Sequence, residues 1–128
     1  MKLLPDTHLL LWAVGRVARL PGSARDLMAD PGNSLFFSAA SIWEIAIERS
    51  LGRPGFATDP QLVRSELLAQ DYRELPITSD HGVAVDGLTF IHKDPFDRLL
   101  VAQAMVEGIM LLTSDARLAR YPGPIQKV

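Results

Sequence analysis

The chain has 128 residues, enough for one domain with a sizeable buried core, and its 48% hydrophobic and 22% charged residues exclude a disordered chain. A net charge of −2 is a poor match to a protein that holds nucleic acid by bulk electrostatics, so any such role must rest on a local site. The absence of cysteine excludes disulfides, thiolate nucleophiles and Cys-based zinc sites, and suits a reducing, cytoplasmic setting.

In chain order, Lys2 to Pro5 reads as a strand, and an almost wholly apolar helix follows from about Thr7 to Val14, closed by Gly15. The longest apolar stretch, Leu9 to Val14, is too short to cross a bilayer, and Pro5 and Asp6 interrupt the opening before any signal-peptide pattern can form. A short amphipathic helix is expected near Ser23 to Ala29, a strand over Ser34 to Ser38 and a helix from about Ser41 to Leu51. The Gly/Pro-rich run from Gly52 to Pro60 is a surface loop. Beyond it come a helix over Gln61 to Gln70, a short strand over Glu74 to Ile77 and a weak helix over Ser79 to Val85. The next helix is the best marked, running from Pro95 to Glu107 with Asp94 as N-cap and Gly108 past its end. Ile109 to Thr113 reads as a strand, Ala116 to Arg120 as a short helix and Pro124 to Val128 as a last strand. Strands alternating with helices imply an α/β fold with a mostly parallel sheet covered on both faces, in a single domain over residues 1–128.

Four acids share one kind of position. Asp6 follows the first strand, Glu44 and Asp97 are expected in the first turns of their helices, and Asp115 follows the Ile109 to Thr113 strand. In a parallel sheet, strand C-termini and helix N-termini face the same edge, where open α/β folds bind ligands. Converging carboxylates repel one another, and a divalent cation removes that penalty. An all-oxygen set suits Mg²⁺ or Mn²⁺, which would activate water against a phosphodiester.

Each acid also has a local reading. Asp6 and Asp115 could cap the helices that follow them, and Ser41 with Glu44 forms a capping-box pattern, as does Asp94 with Asp97. His8 reads as a core or rim residue, His92 as a loop residue that could line the site, and Trp12 and Trp43 as core. The pairs Arg16/Arg19, Arg49/Arg53 and Arg117/Arg120 could grip a backbone but read first as solvated.

Four stretches together resemble the motifs of PIN domains, and specifically of VapC-type toxins: Leu3 to His8, Ser38 to Ile45, His92 to Ala104, and Leu111 to Asp115. The family's acids fall on Asp6, Glu44, Asp97 and Asp115, with Asp94 read as the helix cap. The resemblance implies a three-layer α/β/α fold on about five parallel strands, and Mg²⁺- or Mn²⁺-dependent cleavage of RNA. It also implies a homodimer and a VapB-type antitoxin that reaches operator DNA on the toxin's behalf. Asp6 and Asp97 are then the principal metal ligands, Glu44 and Asp115 complete the ring, and Thr7 and Thr113 support it. Two rivals remain at this point. A receiver-type signalling domain would need adjacent early acids and a late lysine, and a PIN-like module could bind nucleic acid or a partner without cutting.

Overall fold

Five short strands and six α-helices alternate along the chain in the computed structural model, which describes residues 1–128. They are β1 (Lys2–Pro5), α1 (Thr7–Gly15), α2 (Gly22–Ala29), β2 (Ser34–Ser38), α3 (Ala39–Ser50), α4 (Pro60–Ala69), β3 (Arg73–Leu75), α5 (Ser79–Asp86), α6 (Pro95–Glu107), β4 (Met110–Thr113) and β5 (Ile125–Lys127), with 3₁₀ turns at Val17–Arg19 and Leu118–Arg120. The strands form one parallel sheet in the order β3-β2-β1-β4-β5. The winding runs outward from β1 to β2 and β3, then returns to place β4 on the other side of β1. That reversal opens a crevice at the C-terminal ends of β1 and β4.

Alternation along the strands builds the layers. Leu4 and Leu111 pack with Leu100, Val101 and Ala104 of α6, whereas Leu3 and Leu112 pack with Leu9 of α1 and Ala24 of α2. A third cluster joins Leu10 and Leu11 of α1 to Phe37, Ile45, Val63 and Leu67. β1 is therefore buried on both faces, and its last residues are held from every side. No helix is long and apolar enough to cross a membrane.

Element types agree with the sequence reading and several ends move. α3 starts two residues early, because Ser38 rather than Ser41 is its N-cap, with Ser38 Oγ accepting from Ala40 N at 3.0 Å. Two tertiary contacts select that start: Ser38 Oγ donates to Gln103 Oε1, and Ser41 Oγ accepts from Thr7 Oγ1 at 2.9 Å. Glu44 thus lies in the second turn and not the first, and the Ser41/Glu44 capping box does not form. The helix expected over Ala116 to Arg120 contracts to one 3₁₀ turn.

α6 ends at Gly108, whose left-handed backbone (φ 67°) lets its N–H bond Ala104 O and turns the chain directly into β4. A Cβ there meets no neighbour but does meet the backbone's own strain. We expect Gly108→Ala to cost about 1–2 kcal/mol of stability, read as a lower urea midpoint at unchanged slope.

Candidate metal centre

The last residue of β4 ties two strand ends together. Thr113 Oγ1 donates to Asp6 Oδ2 at 2.6 Å and accepts from Asp115 N at 3.0 Å. Asp6 caps α1 with its other oxygen, which accepts from Leu9 N at 3.0 Å, so the capping reading and the site reading both hold for this residue. Oδ2 keeps acceptor capacity beyond the Thr113 bond.

At the α6 terminus the two aspartates divide the work. Asp94 Oδ1 accepts from Phe96 N at 2.8 Å and from Asp97 N at 3.1 Å, so Asp94 is the cap. The reciprocal half of a capping box is missing, because Asp94 N instead donates to His92 Nδ1 at 3.1 Å. The Asp97 carboxylate is left free to face the crevice.

His92 is the residue the sequence reading undervalued. Its Nδ1 accepts a backbone N–H, which assigns the ring proton to Nε2. Nε2 then donates toward Asp115 Oδ2 at 3.1 Å and stands 3.4 Å from Asp97 Oδ2. One donor atom each from His92, Asp97 and Asp115 lie within 4.8 Å of one another. Tyr121 Oη secures the loop by accepting from Ile91 N, His92 N and Arg98 Nη1 at 3.3, 3.0 and 3.0 Å. Only the sequence closeness of His92 to Asp94 could have pointed to it.

The electrostatics follow burial. Burial raises the Asp6 pKa, with the bonds from Thr113 and Leu9 opposing it. Burial pushes Glu44 up to about 7, aided by the charges of Asp94, Glu48 and Asp6. The nearby Thr7 hydroxyl offsets this only in part, since its best acceptor is Ser41 Oγ. Asp97 rises to about 8, first by burial and then through Asp94, Glu44, Asp6 and Asp115. Asp115 goes the other way: burial opposes, but bonds from His92, Arg117 and Leu118 more than compensate and hold it below the usual range.

The four predicted acids thus gather on one sheet edge, unevenly. Asp97 and Asp115 meet through His92, Asp6 joins through Thr113, and Glu44 couples to the others through space. Glu44 is 5% exposed, yet its Oε1 has no hydrogen-bond partner. A buried carboxylate oxygen without a donor is costly, and a cation would satisfy it. Four carboxylates with no thiolate fit a hard divalent ion, Mg²⁺ or Mn²⁺. His92 fits as an outer donor, because Asp94 N–H occupies one ring nitrogen and the proton the other. Trp43, expected in the core, is 55% exposed beside this site, and its ring meets Phe96 edge-on at 5.2 Å.

Residues 3–124 match the family model described as "PIN domain". The chain belongs to the PIN domain family. Solved structures share the fold across nearly the whole chain. VapBC2 from Rickettsia felis, bound to a DNA fragment from its promoter, has TM-score 0.72 at 16% identity, covering 100% of this chain and 99% of that one. DNA-bound VapBC from Salmonella typhimurium has TM-score 0.65 at 15% identity over 99% and 98%. A toxin–antitoxin complex from Klebsiella pneumoniae has TM-score 0.61 at 19% identity over 97% and 95%. No curated protein matches the sequence.

The raised carboxyls make the metal-free PIN domain sensitive to pH. Glu44 and Asp97 keep their protons in the fold where the unfolded chain has released them, so the fold holds more protons between about pH 5 and pH 8. Stability contributed by these groups therefore falls as pH rises through that window. We expect the thermal midpoint of the metal-free protein to drop on going from pH 5 to pH 8, Asp97→Asn to flatten the drop, and Mg²⁺ to restore the midpoint at pH 8; scanning calorimetry at each pH is the check.

Proposed function

We propose that this PIN domain is the toxin of a VapBC-type pair, an endoribonuclease dependent on Mg²⁺ or Mn²⁺ that hydrolyses RNA phosphodiester bonds. The observation that carries the reading is the buried, unpartnered Glu44 oxygen among carboxylates whose protonation burial and mutual repulsion favour. Such a cluster gains from a cation, and capping does not account for Glu44 and Asp97, because Ser38 and Asp94 already do the capping at α3 and α6.

Asp6 and Asp97 are the principal ligands in this reading, and Glu44 and Asp115 complete the shell. A cation held by these residues would supply charge neutralisation at the phosphate and a water of lowered pKa. Thr113 fixes the free oxygen of Asp6, and His92 fixes the carboxylates of Asp97 and Asp115 in mutual register. The structural neighbours are complexes of toxin with antitoxin, two of them on DNA. By likeness of fold, the partners proposed here are a VapB-type antitoxin and a second copy of the chain, with operator DNA reached only through the antitoxin. The cytoplasm is the compartment in which such a toxin would meet its RNA.

Purified protein is incubated with total cellular RNA in Mn²⁺, Mg²⁺ or EDTA, and new 5′ ends are mapped by sequencing. We expect discrete ends that vanish in EDTA and fall at least about 10²-fold with Asp6→Asn or Asp97→Asn. Ends that persist unchanged in either variant would remove that residue from the chemistry. A folded sample that makes no ends would point to a non-cutting module.

His92 gives an independent check. His92→Ala should lower cleavage about 10–100-fold, the usual size of an outer-shell loss. His92→Gln, which retains an N–H donor, should recover part of it, most visibly at low Mn²⁺.

A further inference from the structure

Two cavities of the molecule differ in chemistry. One, of about 280 Å³, is walled by Trp43, Val85, Pro95, Phe96 and Leu99 and contains no cation. The other, of about 460 Å³, lies between the exposed side of α1 and the 54–58 loop. His8, Trp12, Arg16 and Arg19 form its helical wall, and no carboxylate lines it. In a chain of net charge −2, a cavity lined by two arginines and no carboxylate is a local reversal of sign.

The wall is ordered along the helix. His8 and Trp12 are four residues apart and so project from one side of α1, and Arg16 follows at the C-cap of that helix. His8 is exposed and meets the Phe56 ring edge-on at 5.5 Å and the Trp12 ring at 6.0 Å. The Arg19 guanidinium stands 5.9 Å from the Trp12 ring centre. Arg16 and Arg19 are exposed and form no ion pair, whereas Arg49, Arg53 and Arg64 each face a carboxylate. Their charge is not spent within the fold.

His8 is the residue of this cavity that stands nearest the metal centre in sequence. His8 follows Asp6 by two residues and lies close enough to favour its ionised form. From Asp6 to Arg16 the α1 axis advances about 15 Å, the reach of a few nucleotides of single strand.

We propose that this cavity binds the single-stranded RNA next to the scissile phosphate, Arg16 and Arg19 taking backbone phosphates and His8 and Trp12 a base face. This rests on the nuclease reading, which places the scissile phosphate at the carboxylates. A polyanion leaving that point toward α1 meets Arg16 and Arg19, whereas the Trp43 cavity has no charged residue in its lining. Guanidinium beside an aromatic face is the pairing that holds single strands without reading sequence. An acidic protein segment would use the arginines but leave the aromatic faces idle.

The test is fluorescence anisotropy of a short fluorescein-labelled single-stranded RNA of mixed sequence, titrated with the full chain in Mg²⁺. Asp97→Asn is the background, so that nothing is cut. Arg16→Ala with Arg19→Ala should weaken binding about tenfold and reduce the slope of log affinity against log salt by about 1.4, or 0.7 for each phosphate that is no longer neutralised. Trp12→Leu, which keeps apolar volume against the core, should weaken binding about tenfold with the salt slope retained. Arg73→Ala, on the edge strand β3 and outside the cavity lining, should bind as the background does, and circular dichroism verifies that each variant is folded.

Equal affinity and equal salt slope for the double arginine variant would overturn the assignment while leaving metal-dependent cleavage by the wild-type chain intact. A poly-glutamate peptide that binds as tightly as the RNA and weakens with the same variants would overturn it in favour of an acidic protein partner. RNA binding that depends on these residues in a chain that cuts nothing would support the pocket and sink the nuclease.

Discussion

Like charges brought together out of water are the constraint around which this fold is arranged. Asp6 and Glu44 are each 5% exposed, and Asp97 is pushed up to about 8. None of these positions is favourable for a bare carboxylate. The protein meets the cost with directed donors where it can: Thr113 on Asp6, His92 on Asp115, backbone N–H groups on Asp6, Asp94 and Asp115. Glu44 Oε1 is the place where the donors run out. A core with one unsatisfied carboxylate oxygen is less stable than it need be, and a cation bound there would recover that loss.

The parallel sheet makes the convergence possible. β1 has neighbours on both sides, in register Leu4↔Leu111 with β4 and Leu3↔Leu35 with β2. Each strand ends at the same edge, and α1 and α3 begin there with no intervening loop. Donor groups from residues 6, 44, 97 and 115 therefore need no long loops to reach one another. Loops in this protein do other work: one presents His92 under the hold of Tyr121, and another forms the far wall of the basic cavity.

Much of this was legible because local signals and tertiary needs agree. At α6, Asp94, Pro95 and Gly108 each favour the observed boundary, and the helix runs over the residues expected. At α3 they compete: Ser38 and Ser41 are both competent caps, and only Gln103 and Thr7, remote in sequence, decide between them. Trp43 was misjudged because its neighbours Ile42 and Ile45 pack inward and one more apolar residue cannot be told from them by spacing. His92 was underrated because its part depends on which ring nitrogen meets the Asp94 N–H, a property of the loop's path that no residue pattern records. The positions of Asp6, Asp97 and Asp115 were legible, whereas the place of Glu44 in the second turn of α3 and the unequal coupling of the acids were not.

The bond between Thr113 and Asp6 joins residues 107 positions apart. During synthesis Asp6 emerges early, but its partner, together with Asp115 and Tyr121, is among the last parts to be made. A nascent chain that has reached only α6 holds Asp6, Glu44 and Asp97 without the strand that organises them, and its His92 loop has no hydroxyl to anchor it. The candidate centre can therefore be completed only after β4 has been made and paired with β1.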